Sequence, residues 1–492
     1  MRTRTALALT ACVCLMVAGL HAQAPAPAGQ GQSLKGVVLK GKAPVSKDIL
    51  KVTLPKPQAF DLPNGLHVIV LEDHRLPLVS LQLGITGAGG YYDPADHVGL
   101  ASFTASLMRE GTTTRTSAQI SQQLESIAAN VSVSAGLSSQ SASLSASCLT
   151  ENLDAVMAIA SDVLLNPSFS DEEIARYKTR TKAGLLQQRS SPGFLASERY
   201  SRVIYGDHPG GRSSPTAEGV DKTTRAALVD FHKAHYVPDF AVVGIVGDIT
   251  PAEARKKIEG AFGTWKKGGK STPVVEDPAP IGPAGVYLVN RPGSVQSSLS
   301  VGTQAISRTS PDYDVVRLLN EIIGGGPTGR LFLNLREDKG WTYGAYSGLS
   351  ALRYRGDWTA TAEVRTDVTE GAIRETLAEI AATRDQTLPL SAIQDKQRLL
   401  VASFALSLES PQGLLNNYIT SWLYKLPADY WDKYPDRVMA VTPAAVQAAA
   451  KKYLDTSRLQ IVVVGDGSKI TEALKKFGPL QVYDTEGKKV GQ

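Results

Sequence analysis

Cysteine is almost absent from this 492-residue chain: there are three, with Cys12 and Cys14 inside the first twenty positions and Cys148 alone after them. A single cysteine cannot close an internal disulfide, so the fold rests on packing even in an oxidising compartment. Cys148 ends the alternating run Ser141-Ala142-Ser143-Leu144-Ser145-Ala146-Ser147, which reads as a strand carrying a buried thiol rather than a nucleophile. An excess of one charge is also lacking. The 52 Lys and Arg stand against 47 Asp and Glu, a net of +5, and no basic stripe marks a nucleic-acid or membrane surface. Past the first twenty residues no apolar run is long enough to span a bilayer. What is present is an ordinary globular composition, 42% hydrophobic and 20% charged, with length enough for two or more domains.

Arg2 and Arg4 precede an apolar run from Ala6 to Leu20, and His21-Ala22-Gln23-Ala24 offers small residues for cleavage. This is the pattern of an export signal over residues 1–22, and it implies a periplasmic or secreted protein. Removing the two arginines leaves a net charge of +3. Leu9-Thr10-Ala11-Cys12 also resembles a lipoprotein box that would anchor the chain through Cys12. Only about six apolar residues precede it, short for a signal core, so lipidation ranks second. Residues 23–50, opening on Ala, Pro, Gly and Gln, read as a flexible tether. A second Pro/Gly-rich stretch from Lys266 to Gly285 marks the best boundary in the chain. It divides the mature chain into domains at 51–268 and 285–485 around a linker at 269–284.

The two sides of that boundary look like copies. Tyr236, Val246-Gly247-Asp248 and Phe262-Gly263 recur in order as Tyr453, Val464-Gly465-Asp466 and Phe477-Gly478, at offsets of 217, 218 and 215. Three ordered landmarks at nearly one spacing argue for an internal duplication. Within the first copy, Leu66–Glu72 and Leu78–Ile85 read as strands and Ala118–Ala129 and Asn152–Leu165 as helices, with a hairpin at Val131–Leu137 and Ser141–Cys148. The second copy pairs Thr342–Leu349 with Trp358–Val364 and follows with helices at Glu370–Ala382 and Leu390–Leu408. Hairpins and consecutive helices, without strict alternation, predict two homologous α+β domains, each a mainly antiparallel sheet with helices.

Residues 99–112, Gly-Leu-Ala-Ser-Phe-Thr-Ala-Ser-Leu-Met-Arg-Glu-Gly-Thr, resemble the zinc-site helix of the inverzincin peptidases, the pitrilysin, insulinase and mitochondrial-processing-peptidase family. That signature is H-x-x-E-H, framed by Gly-hydrophobic-Ala and Gly-Thr. Tyr205-Gly206-Asp207-His208-Pro209 and Tyr236-Val237-Pro238 are similar to first-half landmarks of the family. Gly324 through Phe332, Leu335-Arg336-Glu337 and Gly340-Trp341-Thr342-Tyr343 are similar to second-half ones. The resemblance covers roughly residues 55–480 and implies a duplicated fold in which the two domains form half of a clam shell.

The departures bear on function. The chemistry needs two imidazoles four residues apart on one helix face, and a carboxylate to take a proton from the metal-bound water. Ser102, Ala105 and Ser106 stand in those three places. The resemblance puts the third ligand, a Glu in active relatives, near Gly184, and no carboxylate lies between Lys178 and Ala196. No metal is therefore expected in this chain. His232 and His235 are three apart without an acidic third ligand, and they read, with His97 and His208, as packing or surface histidines.

The Gly324–Gly329 run lacks the Gly-Lys-Ser/Thr of a phosphate cradle and reads as a turn. In processing peptidases a glycine-rich loop of the non-catalytic subunit contacts substrate, so the resemblance makes Gly324, Gly325 and Gly326 candidate substrate-binding positions. Arg336 and Tyr343 match an Arg and a Tyr that the family's second half lends to a zinc site. An Arg fork can hold a peptide carbonyl, and a Tyr hydroxyl can donate to an oxygen that becomes negative as water attacks. Two functions follow. One is the zinc-free subunit of a heterodimeric zinc metallopeptidase, inactive alone, which binds peptide and supplies Arg336 and Tyr343 to a homologous partner whose intact H-x-x-E-H holds the zinc. The other is a stand-alone peptide-binding or assembly protein on the same scaffold.

Overall fold

The protein is described here by a computed structural model over residues 51–269 and 273–490. The export signal at 1–22, the Cys12 anchor and the tether at 23–50 all lie outside the described residues. Among the described residues, no helix is long and apolar enough to cross a membrane.

The first half builds a six-stranded sheet from β1 (Gln58–Asp61), β2 (His67–Glu72), β3 (Leu78–Thr86), β4 (Asn130–Ala135), β5 (Ser141–Leu149) and β6 (Ala241–Gly247), in the order β1-β2-β6-β3-β5-β4. The second half repeats it with β7 (Gly285–Asn290), β8 (Gln296–Gln304), β9 (Thr342–Ser350), β10 (Asp357–Arg365), β11 (Gln460–Gly465) and β12 (Leu480–Tyr483), in the order β12-β7-β11-β8-β10-β9. Each sheet is mainly antiparallel, but β6 runs parallel to β2 and β11 parallel to β7. Those two strands return to the sheet after long helical crossovers, which is the connection a parallel pair requires. The halves differ at one edge, where β1 pairs antiparallel with β2 and β12 pairs parallel with β7.

The central strands β6 and β11 are buried along their whole length, which explains why they read as near-continuous Val and Ile runs. The hairpin strand β5 alternates buried and exposed positions, and Cys148 falls on the buried face among Leu144, Val156 and Leu153. The helices that matter for the site are α1 (Leu100–Met108), α2 (Ser117–Ser126), α3 (Leu153–Leu165), α4 (Asp171–Gln188) and α5 (Pro192–Tyr205) in the first half. In the second they are α6 (Tyr313–Ile323), α7 (Thr369–Asp385), α8 (Leu390–Ser407) and α9 (Pro411–Tyr424).

The two halves exchange helices. Helix α5 of the first half lies on the second sheet, where Leu195 and Ala196 pack with Val289 and Val464. The Tyr200 hydroxyl donates to the Trp358 carbonyl at 3.0 Å, and Tyr205 donates to Asp357 Oδ1 at 2.6 Å. Helix α9 of the second half lies reciprocally on the first sheet, with Leu415 and Ile419 in one cluster with Ile69, Val242 and Val246. Both helices start alike, with proline at the first position after a serine cap: Ser191 accepts from the Phe194 N–H and Ser410 from the Gly413 N–H. A Cβ at Gly244 would stand 2.5 Å from Leu415 Cδ1, so glycine there admits the crossing helix. Hence the sheets divide near the linker, yet the hydrophobic packing runs across it.

Candidate functional site

Helix α1 begins where Gly99 takes a left-handed φ of 110°, and the buried Asp93 caps it by accepting from the Gly99 and Ala101 N–H groups at 2.7 and 2.8 Å. Burial pushes the Asp93 carboxyl up to about 6 against the pull of those two bonds. Ser102 and Ser106 lie half-buried one turn apart on this helix, and Ala105 is fully buried. Ser106 Oγ accepts from the hydroxyl of Tyr177 on α4 at 2.9 Å, and the Tyr177 ring meets Phe103 edge-on at 4.7 Å. Tyr177 was not anticipated from the sequence, because nothing in α4's own pattern says which residue meets α1.

These residues do not fit zinc. Two hydroxyls and a methyl offer a metal no imidazole and no carboxylate, and one hydroxyl is already engaged by Tyr177. Gly184 sits two turns further along α4 in open space, with nothing within 4 Å of where a Cβ would be. Among the described residues, no group of three or more His, Cys, Asp or Glu is placed to hold a metal ion.

His97, His208, His232 and His235 serve packing. His97 is buried with Nε2 at 2.9 Å from Thr223 Oγ1. The His232 ring stacks on Tyr236 with Nε2 at 2.8 Å from the Leu164 carbonyl. His235 stacks on Phe231 with Nδ1 at 2.7 Å from the Gly87 carbonyl. His208 bridges the halves, with Nε2 at 3.0 Å from the Glu276 carbonyl and its ring against Tyr354.

A cleft of about 770 Å³ opens between α5 and the edge of the second sheet formed by β8, β10 and β9. Its floor is rich in hydroxyls, including Ser298, Ser300, Thr359 and Thr361, and its charged groups are Asp357 and Glu363. Asp357 is spent on Tyr205 and Thr359, whereas Glu363 is exposed and accepts from Ser298 at 3.3 Å. At the rim the β9–β10 register shifts: Ala345 faces Ala362 and Thr342 faces Val364, so Tyr343 and Gly344 together oppose Glu363. This β-bulge re-aims the strand and turns Tyr343 outward at 90% exposure, beside Tyr346. The Tyr343 hydroxyl makes no hydrogen bond with any described residue.

Arg336 lies on the π-helical turn Leu333–Asp338, which leads through Gly340, at a left-handed φ of 64°, into β9. Its guanidinium pairs with the neighbouring Glu337 and sits 5.2 Å from the Phe332 ring centroid. The structure thus joins Tyr343 to the cleft and leaves Arg336 outside its lining. Gly324, Gly325 and Gly326 form a tight connection rather than an open cradle. The Gly324 carbonyl accepts from the Ser347 N–H of β9 at 2.7 Å, and a Cβ on Gly324 would stand 2.5 Å from that nitrogen. Glu363, Tyr346 and the wall from α5 escaped the sequence reading. Only the bulge and the helix exchange bring them to Tyr343, and neither has a local sequence signal.

Residues 68–212 match the profile described as Insulinase (Peptidase family M16), and residues 222–400 match Peptidase M16 inactive domain. An uncharacterized zinc protease of Rickettsia bellii is 25% identical over 82% of this chain and 96% of its own length. One from Rickettsia felis is 27% identical over 69% and 81% of the two chains. Among solved structures, a peptidase M16 inactive domain from Pseudomonas fluorescens superposes with a TM-score of 0.78 at 27% identity, covering 83% of this chain and 98% of that one. A protease from Helicobacter pylori shares the fold at the same TM-score and 16% identity, over 84% and 100% of the two chains. The first profile lies within the first half and the second runs from the end of that half, β6 included, across the linker into the second; the chain belongs to the M16 peptidase family, the pitrilysin and insulinase group.

Proposed function

We propose that this chain is the zinc-free subunit of a heterodimeric metallopeptidase, exported to the periplasm or beyond the cell. It holds an extended peptide along the cleft between α5 and β9. It presents Tyr343, and Arg336 from the adjoining helical turn, to the zinc site of a homologous partner that carries H-x-x-E-H. The observation that supports this reading most is Tyr343 itself. A tyrosine turned out by a bulge, 90% exposed and without a hydrogen bond to any described residue, is free to meet a group outside the chain. The hydroxyl-lined floor suits peptide carbonyls and amides, and Gly324, Gly325 and Gly326 connect to the inner side of the same edge strand. No catalytic step runs in this chain, because α1 offers neither metal ligands nor a base.

A second function, a stand-alone peptide-binding or assembly protein, is favoured by one observation: Arg336 is already paired with Glu337. Purifying the chain alone and with a homologous subunit bearing the intact motif, then assaying unstructured peptides with added Zn²⁺, separates the two. The subunit reading expects an inactive chain, a stable complex and hydrolysis by the complex. Hydrolysis by this chain alone, or a homologue that is fully active without binding it, overturns that reading.

A further inference from the structure

Away from the cleft, and sharing no residue with it, a cavity of about 590 Å³ lies where the end of α9 meets β1 and β2 of the first sheet. Ile69, Phe240, Trp422, Leu423 and Leu426 give it apolar walls, and the Trp422 ring is fixed by stacking on His67 at 5.4 Å. Two cations line it, Arg353 from the β9–β10 loop and Lys425 just past α9. Neither forms an ion pair or a side-chain hydrogen bond with a described residue. The carboxylate in the wall, Asp239, has Oδ2 engaged by the Gly268 N–H at 2.7 Å.

One buried polar atom of its lining, Arg353 Nη1, has no partner among the described residues, and neither has the buried Tyr92 hydroxyl in the adjoining region. Tyr92 lines a second cavity of about 460 Å³ that shares Thr86 and Phe240 with the first. The arginine lies close enough for its charge to draw the Tyr92 hydroxyl down, while burial pushes it up to about 12. An unpartnered buried donor is costly, and a guanidinium more so than a neutral group. Lys425 adds a second anomaly, since it holds a left-handed φ of 51° at the C-terminal cap of α9, where glycine or asparagine ordinarily stands. A lysine held in a left-handed conformation and an arginine without a partner among the described residues, lining one apolar cavity, are an arrangement that lacks its anion.

We propose that this cavity binds a small amphipathic carboxylate, its apolar body against Trp422 and Phe240 and its head between Arg353 and Lys425. A carboxylate is acceptor-only, so it can accept from the unpartnered Nη1 of Arg353 and from the ammonium of Lys425, both of which line the cavity. Two sources supply this chemistry, a fatty acid and the C-terminus of an apolar peptide.

The mature chain is titrated calorimetrically with decanoate and with N-acetyl-trileucine, each beside its uncharged twin, decanol and the trileucine amide. At least one carboxylate binds at one per chain, and its twin binds at least about tenfold more weakly, the scale of a charge-assisted pair. Which carboxylate binds identifies the source. Arg353→Met weakens it by about tenfold or more on the same scale. Lys425→Gly weakens it too while leaving the thermal midpoint equal or higher, because glycine relieves the left-handed strain. That variant keeps the test decisive if Arg353→Met does not fold. No binding by either carboxylate, equal binding by a neutral twin, or wild-type affinity in Lys425→Gly overturns the proposal.

Discussion

The Tyr177 hydroxyl donates to Ser106 Oγ at 2.9 Å, tying α4 to the α1 position where the resemblance to a zinc-site helix would put an imidazole. Position 106 is therefore part of the packing between two helices and not an empty socket. Ala105, between the serines, is fully buried.

Restoring the motif by Ser102→His, Ala105→Glu and Ser106→His is expected to yield neither stoichiometric zinc nor hydrolysis. The third ligand, which the resemblance puts near Gly184, is still missing, and two imidazoles leave an incomplete shell. The carboxylate introduced in place of Ala105 must also find room at a site with no exposure, so the triple variant should lose more than ~2 kcal/mol of stability. Tyr177→Phe alone should cost ~0.5–1.5 kcal/mol, the value of one hydrogen bond. Metal analysis and urea denaturation check both. Chelator-sensitive hydrolysis by the triple variant would show that another residue completes the shell.

Gly184→Ala is expected to stabilise the protein by ~0.5–1 kcal/mol, since glycine inside a helix wastes backbone entropy. It lies within the 18-residue α4, and a Cβ there meets nothing within 4 Å. A lower thermal midpoint for the variant would mean that this stretch of α4 is not helical in solution.

Most of the fold was legible because hydrophobic period and turn chemistry agree along the chain. The hairpin strands around Val131 and Ser143 and the helix through Ile159 fall within elements that the structure contains, and the matching Val-Gly-Asp landmarks mark the ends of β6 and β11. The helix exchange was not legible. Leu415 on Gly244 and Tyr200 beside Gly302 are contacts between the halves, 171 and 102 positions apart in sequence, and an amphipathic helix does not announce which sheet it will cover. The site was half legible for the same reason. Residue types in a motif pointed to Tyr343, but the bulge that exposes it depends on the pairing of β9 with β10.

Stability should depend on pH through Asp93. Its folded value, about 6, lies above the ordinary carboxyl value of 3.8. The unfolded chain therefore ionises first as pH rises, and the native state loses stability until it ionises in turn. The contribution is complete below about pH 4 and is lost through about pH 6, a change of up to ~3 kcal/mol. Urea unfolding of the wild type and of Asp93→Asn across this window should show the wild type declining relative to the variant. A constant difference would mean that solvent reaches the carboxylate.

Cys148 should be inert in the native protein. It is 4% exposed in the first core, and burial pushes the thiol up to about 11, so almost no thiolate exists at neutral pH. A chromogenic disulfide reagent should label it only in denaturant. Rapid labelling of the folded chain would show that β5 opens locally.

The last prediction concerns Tyr343 and Arg336 in the reconstituted complex. Tyr343→Phe keeps the ring at the rim of the cleft and removes only the hydroxyl. If that hydroxyl donates to a developing oxyanion, kcat should fall by about 10²–10³ with little change in KM. Arg336 is already shared with Glu337, so Arg336→Ala should act more mildly, chiefly by raising KM as ground-state binding of the peptide is lost. Glu337→Gln frees the guanidinium and should move KM the opposite way, an outcome that a purely structural Arg336–Glu337 pair does not produce. Assembly is checked by gel filtration, because both side chains are at least partly exposed and neither is expected to hold the complex together. Wild-type kcat and KM in all three variants, with normal assembly, would make these residues structural and remove the main support for a role in trans.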